Sequence, residues 1–177
     1  MTVFKCKNNC CNVLVNPYVL SHEKYYKRNR NKAGAFIYDH LQNKVLLVQS
    51  NGNYWGIPKG TLEDNENYIE CSIREIKEET NIDVTSSMLN NLYKINNRYF
   101  YYYINIKECS VSIQQYTSTN KKNDVSGITW INVNCLLESL KDNTMQLNYH
   151  TKLCFKKFLN IDMQKKKIIL LYLYIIK

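Results

Sequence analysis

The chain has 177 residues, enough for one domain with a sizeable core. Its hydrophobic content of 45% is ordinary for a globular protein. Its net charge of +9 points to a polyanionic partner larger than a single nucleotide, or to a basic surface kept for solubility.

Residues 1–30 read as an N-terminal extension containing Cys and Tyr. Met1 to Cys6 has no apolar run of useful length, so no signal peptide opens it. The seven cysteines are odd in number and scattered, unlike a secreted disulfide framework. A reducing, cytosol-like compartment is the expectation. Cys6, Cys10, Cys11 and His22 suggest zinc, but C-x3-C-C has no clean second pair, so free thiols are expected. Residues 21–32 are basic and polar, as in a linker.

The domain proper is expected over residues 31–162. Ala33 to Tyr38 reads as a strand, 39–43 as a turn, and Lys44 to Gln49 as a second strand pairing back. Ser50 to Asn53 is a loop. Ile57-Pro58-Lys59-Gly60 breaks regular structure. A helix follows, with Asp64 or Asn65 as its cap and Ile69, Ile73 and Ile76 as one apolar stripe. The acids are expected on a different face, and Cys71 as a buried thiol.

Leu92 to Ile106 suits one or two strands, with Asn96-Asn97 as the hairpin turn. The run Tyr99 to Tyr103 reads as half core; base stacking on alternate rings is the other reading. Gly127 to Val133 is a strand, Cys135 to Leu140 starts a short helix, and Tyr149 to Leu159 is amphipathic. Residues 163–177 form a basic and apolar tail. Its run from Ile168 to Ile176 is far short of the roughly 20 residues of a membrane span. Strands on both sides of one helix, with a C-terminal helix, indicate an α/β layered sandwich.

The chemistry lies in residues 60–82. Glu75, Glu78 and Glu79 are spaced i, i+3, i+4, which gathers three carboxylates on one side of a helix. Their repulsion is relieved by a divalent cation, and hard oxygen ligands suit Mg²⁺ or Mn²⁺. This stretch resembles the Nudix hydrolase box, G-x5-E-x7-R-E-U-x-E-E-x-G-U with U aliphatic, through Gly60, Glu66, Arg74, Glu75, Ile76, Glu78, Glu79 and Ile82. At ordinary residue usage, six fixed matches arise by chance on the order of 10⁻⁷ per starting position. Asn81 stands where the family has Gly; Asn is the second choice for a left-handed helix exit.

The resemblance implies an α/β/α sandwich with a mixed sheet. It implies a metal site of Gly60, Glu75, Glu78 and Glu79, with Glu66 and Arg74 bracing the loop on the helix. Tyr54-Trp55-Gly56-Ile57-Pro58-Lys59-Gly60 is similar to the W-G-F-P-K-G segment of mRNA-decapping enzymes, and Cys71-Ser72-Ile73-Arg74-Glu75 to their C-A-I-R-E. Asn123 to Trp130 resembles their N-E-I-x-x-I-x-W, with Asp124 in place of a longer catalytic glutamate. The compact length is more like a viral form than a cellular one.

The resemblance therefore implies cap hydrolysis on RNA, releasing 7-methyl-GDP and 5′-monophosphate RNA, with Lys59, Glu78, Glu79 and Asp124 as catalytic groups. Lys152, Lys156 and Lys157, extended by Lys165, Lys166 and Lys167, would form a basic RNA track or a solvated face. The alternatives are a dinucleoside polyphosphate or nucleotide pyrophosphohydrolase, and a non-catalytic RNA-binding module on the same scaffold. The intact carboxylate set argues against the last.

Overall fold

A computed structural model describes residues 2–16, 30–50, 54–113 and 125–163. Asp124, Lys165, Lys166, Lys167, His22 and the run 168–176 lie outside the described residues. The central strands are apolar on both faces, which only a sheet covered on both sides can accommodate. They are β3 (Lys32–Asp39), β4 (Lys44–Ser50), β8 (Tyr99–Asn105) and β9 (Val125–Asn132). Two outer hairpin strands, β1 (Thr2–Lys5) and β2 (Asn12–Val15), and one more, β7 (Asn90–Ile95), complete the sheet order β1-β2-β9-β4-β3-β8-β7. β3 runs parallel to β8 and antiparallel to β4, so the sheet is mixed.

Helix α1 (Tyr68–Thr80) covers one face, over Ile37, Leu46, Ile104 and Ile128. Helices α2 (Val133–Lys141) and α3 (Tyr149–Leu159) cover the other, over Phe36, Leu47, Tyr101 and Ile131. Phe36 meets Phe155 edge-on, with centroids 5.0 Å apart, a geometry that contributes about 0.5–1.5 kcal/mol beyond area burial. This is the α/β/α sandwich expected from the sequence.

The aromatic run of β8 is core on both faces. Tyr101 is fully buried and Tyr102 nearly so, and the Tyr101 hydroxyl bonds His150 Nδ1 at 2.8 Å. Base stacking on Tyr101 is thereby ruled out. The β7–β8 turn falls at Asn96 and Asn97, both left-handed with φ of 49° and 53°, the backbone that a tight hairpin needs. Residues 2–15 extend the sheet: β2 pairs with β9 from Val13 to Val15.

Three short strands shape the site. β4 and β3 pair only at Tyr38–Val45 and Asp39–Lys44, then diverge. Into the gap comes β6 (Lys59–Thr61), which pairs with β3 so that Gly60 faces Ala33. β5 (Tyr54–Gly56) joins β4, and β10 (Gln146–Leu147) pairs with β5. Gly34 is obligatory here: a Cβ would lie 2.2 Å from the Pro58 carbonyl oxygen.

Asp39 organises the turn after β3. Its buried carboxylate accepts the backbone N–H of Leu41 at 2.9 Å, of Gln42 at 3.1 Å and of Glu108 at 2.7 Å. Burial pushes its pKa up, but these donors outweigh burial and hold it below the ordinary 3.8. Its stabilising contribution is therefore complete above pH 3.8 and disappears as pH falls through the lower folded value. Asp39→Ala should lose about 1–3 kcal/mol at neutral pH. Urea unfolding at several pH values should show that deficit shrinking in acid.

Candidate active site

The box helix begins two or three residues later than a cap at Asn65 or Asp64 would place it. Asn67 is the cap: its side chain accepts the N–H of Ile69 and Glu70, while Glu70 accepts the Asn67 N–H at 2.9 Å. The reciprocal pair needs a carboxylate three residues past the cap, and Asn67 has Glu70 there. The helix ends at Asn81, which is left-handed with φ of 62° and donates its N–H to the Lys77 carbonyl.

The buried face also differs from the predicted stripe. It consists of Cys71, Ser72, Glu75, Ile76, Glu79 and Thr80, while Ile69 is exposed. Glu75 and Glu79 thus share the inward face with Ile76 instead of lying apart from it. Glu78 points outward, its side chain 52% exposed. Tyr68 stacks on Phe100 with centroids 3.5 Å apart and orients the first turn.

The loop reaches these carboxylates through its backbone. The Lys59 N–H donates to Glu79 Oε2 at 2.9 Å. A Cβ on Gly60 would lie 1.8 Å from Glu75 Oε1, so only glycine lets β6 pass beside that carboxylate. Arg74 ties loop to helix. Its Nε and one terminal nitrogen grip Glu66 at 2.8 and 2.9 Å, and it donates to the Thr61 carbonyl at 3.1 Å. Its other terminal nitrogen contacts Glu75 at 2.8 Å and Glu78 at 3.1 Å. The fork geometry of guanidinium is what permits this many simultaneous bonds.

Burial pushes the Glu75 pKa up to about 7, against the lowering effect of Arg74. The donor set is all hard oxygen, two carboxylates are buried, and Gly60 lets one of them lie against the loop backbone. These residues fit Mg²⁺ or Mn²⁺. The Gly60 carbonyl faces the same helix, 3.9 Å from Cys71 Sγ.

Lys59 is half-buried, and its charge lowers the pKa values of both Glu75 and His150. It is therefore close to the carboxylates and to the start of α3. The lysines of α3 are elsewhere. Lys152 is half-buried, while Lys156 and Lys157 are exposed in the last turn, on the sheet face opposite α1. Lys157 lies over the Tyr93 ring at 5.8 Å. The structure does not bring them together with the carboxylates. Thr151 was not foreseen: its buried hydroxyl accepts the Ile57 N–H at 3.1 Å and holds the loop from the α3 side. No local signal marks a contact between residues this far apart in the chain.

A mixed sheet sandwiched by helices, with a loop delivered onto a carboxylate-bearing helix, is the architecture of the Nudix hydrolases, whose chemistry is hydrolysis of pyrophosphate bonds with divalent metal ions. The NUDIX domain model matches residues 28–150, and the chain belongs to this family. It is similar to the protein named "Putative hydrolase 111R" of Invertebrate iridescent virus 3, 31% identical over 142 residues, covering 77% of this chain and 80% of that one. It also resembles the mRNA-decapping protein g5R of African swine fever virus, 39% identical over 69 residues, or 37% of this chain and 27% of that one. The match to mRNA-decapping enzyme subunit 2 of Saccharomyces cerevisiae is 38% identical over 69 residues, only 7% of that protein. Among solved structures, the E. coli dihydroneopterin triphosphate pyrophosphohydrolase shares the fold, with a TM-score of 0.55 at 15% identity over 76% of this chain and 98% of that one.

Gly60→Ala tests the close approach. The added methyl should displace the Glu75 carboxylate and weaken Mn²⁺ binding on the order of tenfold, about 1.4 kcal/mol. A Mn²⁺ titration followed by electron paramagnetic resonance reads this, with circular dichroism expected to report an intact fold.

Proposed function

We propose that this chain hydrolyses the 5′ cap of RNA, releasing 7-methyl-GDP and 5′-monophosphate RNA. The observation that carries the reading is the segment Tyr54 to Gly60. It matches the decapping type in sequence, and its Lys59 N–H is bonded to a box carboxylate. The 36–39% identity to several decapping proteins over short stretches supports it.

In this reading Glu75, Glu78, Glu79 and the Gly60 carbonyl would hold Mg²⁺ or Mn²⁺. When bound, the cation neutralises phosphate charge and lowers the pKa of water. Arg74, itself held by Glu66, positions Glu75 and Glu78. Lys59 stabilises the charge that builds on the bridging phosphates. Glu79 or Asp124, which directly precedes β9 in the sequence, takes the proton of the attacking water. Glu78, at the solvent edge, orients that water. The net charge of +9 would favour an RNA body over a lone nucleotide, with Lys152, Lys156 and Lys157 as sequence-blind phosphate contacts and Lys165, Lys166 and Lys167 continuing them.

Two of the similar proteins are viral, which favours a virus-encoded enzyme. None of the seven cysteines is in a disulfide, in keeping with a reducing, cytoplasmic setting. Among the described residues no helix is long and apolar enough to cross a membrane.

Cap-labelled RNA and diadenosine tetraphosphate, run side by side with Mg²⁺ or Mn²⁺, test the proposal. Release of 7-methyl-GDP is expected, and Glu79→Gln should slow it by about 10²–10⁴-fold while leaving RNA binding intact. The glutamine oxygen still accepts the Lys59 N–H, so the loop stays in place. Cleavage of the dinucleotide alone would discard the RNA reading. Unimpaired cleavage by Glu79→Gln would discard the carboxylate assignment.

A further inference from the structure

Four cysteines converge on the sheet face opposite the box helix. Cys6, Cys10 and Cys11 line the tight turn between β1 and β2. Cys135 comes from the first turn of α2, more than a hundred residues away. The sulfur of Cys10 lies 3.6 Å from that of Cys6, 3.4 Å from that of Cys11 and 3.3 Å from that of Cys135, and Cys6 lies 3.7 Å from Cys135. All four are within 4.8 Å of one another. Four thiolates around zinc, each about 2.3 Å from the ion, sit about 3.8 Å apart. The arrangement has the size of that tetrahedron. These separations are well beyond the roughly 2.05 Å of a disulfide bond.

The surroundings are those of a thiolate site. The Asn132 backbone N–H donates to Cys11 Sγ at 3.2 Å, and Asn8 Nδ2 donates to Cys135 Sγ at 3.5 Å. Such N–H donors to ligand sulfur orient the ligand and stabilise its charge. The turn is held by Cys6 N–H to the Cys11 carbonyl at 3.0 Å, with Asn9 left-handed at φ 56°. Cys6, Cys11 and Cys135 are buried, and Cys10 alone is exposed, which leaves an entry path for an ion.

We infer that Cys6, Cys10, Cys11 and Cys135 form a structural zinc site that fastens the N-terminal hairpin to helix α2. Soft sulfur ligands select zinc over the hard cations suited to the box. Four protein ligands leave no open position, so the ion is structural rather than catalytic. Each ligating thiol gives up its proton to solvent on binding. The site is independent of what the box hydrolyses.

The full chain, purified under reducing conditions without chelator, should carry one zinc per molecule by elemental analysis, and Glu79→Gln should carry the same. Cys135→Ser and Cys11→Ser should each fall to background. Replacing zinc by Co²⁺ in the unmutated protein should produce the absorption of a tetrahedral thiolate site, so the test does not depend on the variants folding. Stripping the zinc should speed amide exchange in β1 and β2 selectively. Protein lacking zinc, with no cobalt–thiolate absorption and four freely reactive thiols, would overturn the inference, as would a disulfide among these four found by mass spectrometry.

Discussion

The structure depends on placing two carboxylates on the buried face of α1. Glu75 and Glu79 occupy positions where a packed helix would ordinarily carry apolar side chains. Burying ionised carboxylates is costly unless each is paired. Every neighbouring feature answers that cost. Glu79 receives a backbone N–H from Lys59, Glu75 receives Arg74, and Arg74 is itself anchored by Glu66. Burial still holds the Glu75 pKa above its ordinary value despite Arg74, and hard carboxylate oxygens gathered on this helix would suit a divalent cation.

Delivery of the loop follows from the sheet. β3 and β4 part after a short pairing, and β6 occupies the vacated edge of β3. At Gly34, Gly56 and Gly60 a Cβ would collide with a neighbour, with Pro58, Asn148 and Glu75 respectively. The chain has few glycines, and left-handed turns are made by asparagine instead. Every non-glycine residue of positive φ among those described is Asn, including Asn81 at the box exit. Asn tolerates that region because its short amide bonds locally. The departure from the box pattern at Asn81 is thus part of a habit of this chain, and the helix exit geometry is kept.

The opposite face of the sheet has a different chemistry. There α2 and α3 pack over an aromatic layer, and the N-terminal hairpin extends the sheet from β9. The hairpin's outer strand is exposed throughout, so apolar burial holds it weakly. A cross-link through sulfur at its turn would supply what packing does not. Hard oxygen donors lie on one face and soft sulfur donors on the other, an arrangement that would keep two metal chemistries apart.

Local patterns determined much of this protein. The strand pairing of β3 with β4, the Asn96-Asn97 turn, the bounds of α3 and the spacing of Glu75, Glu78 and Glu79 were all legible, because each rests on neighbours in the chain. The helix cap was misread as Asp64 or Asn65, because several polar residues compete there and only Glu70 selects Asn67. The apolar stripe was misread because hydrophobicity alone marks a buried face, and this one buries charge. Only the tertiary structure decided what long-range packing controls: both faces of the Tyr99 to Tyr103 run in the core, Thr151 against the loop, the α3 lysines away from the carboxylates, and Cys135 beside Cys6, Cys10 and Cys11. Local periodicity reports which way a side chain leaves its own backbone, whereas the identity of what it meets is set by which strands and helices the whole sheet brings alongside.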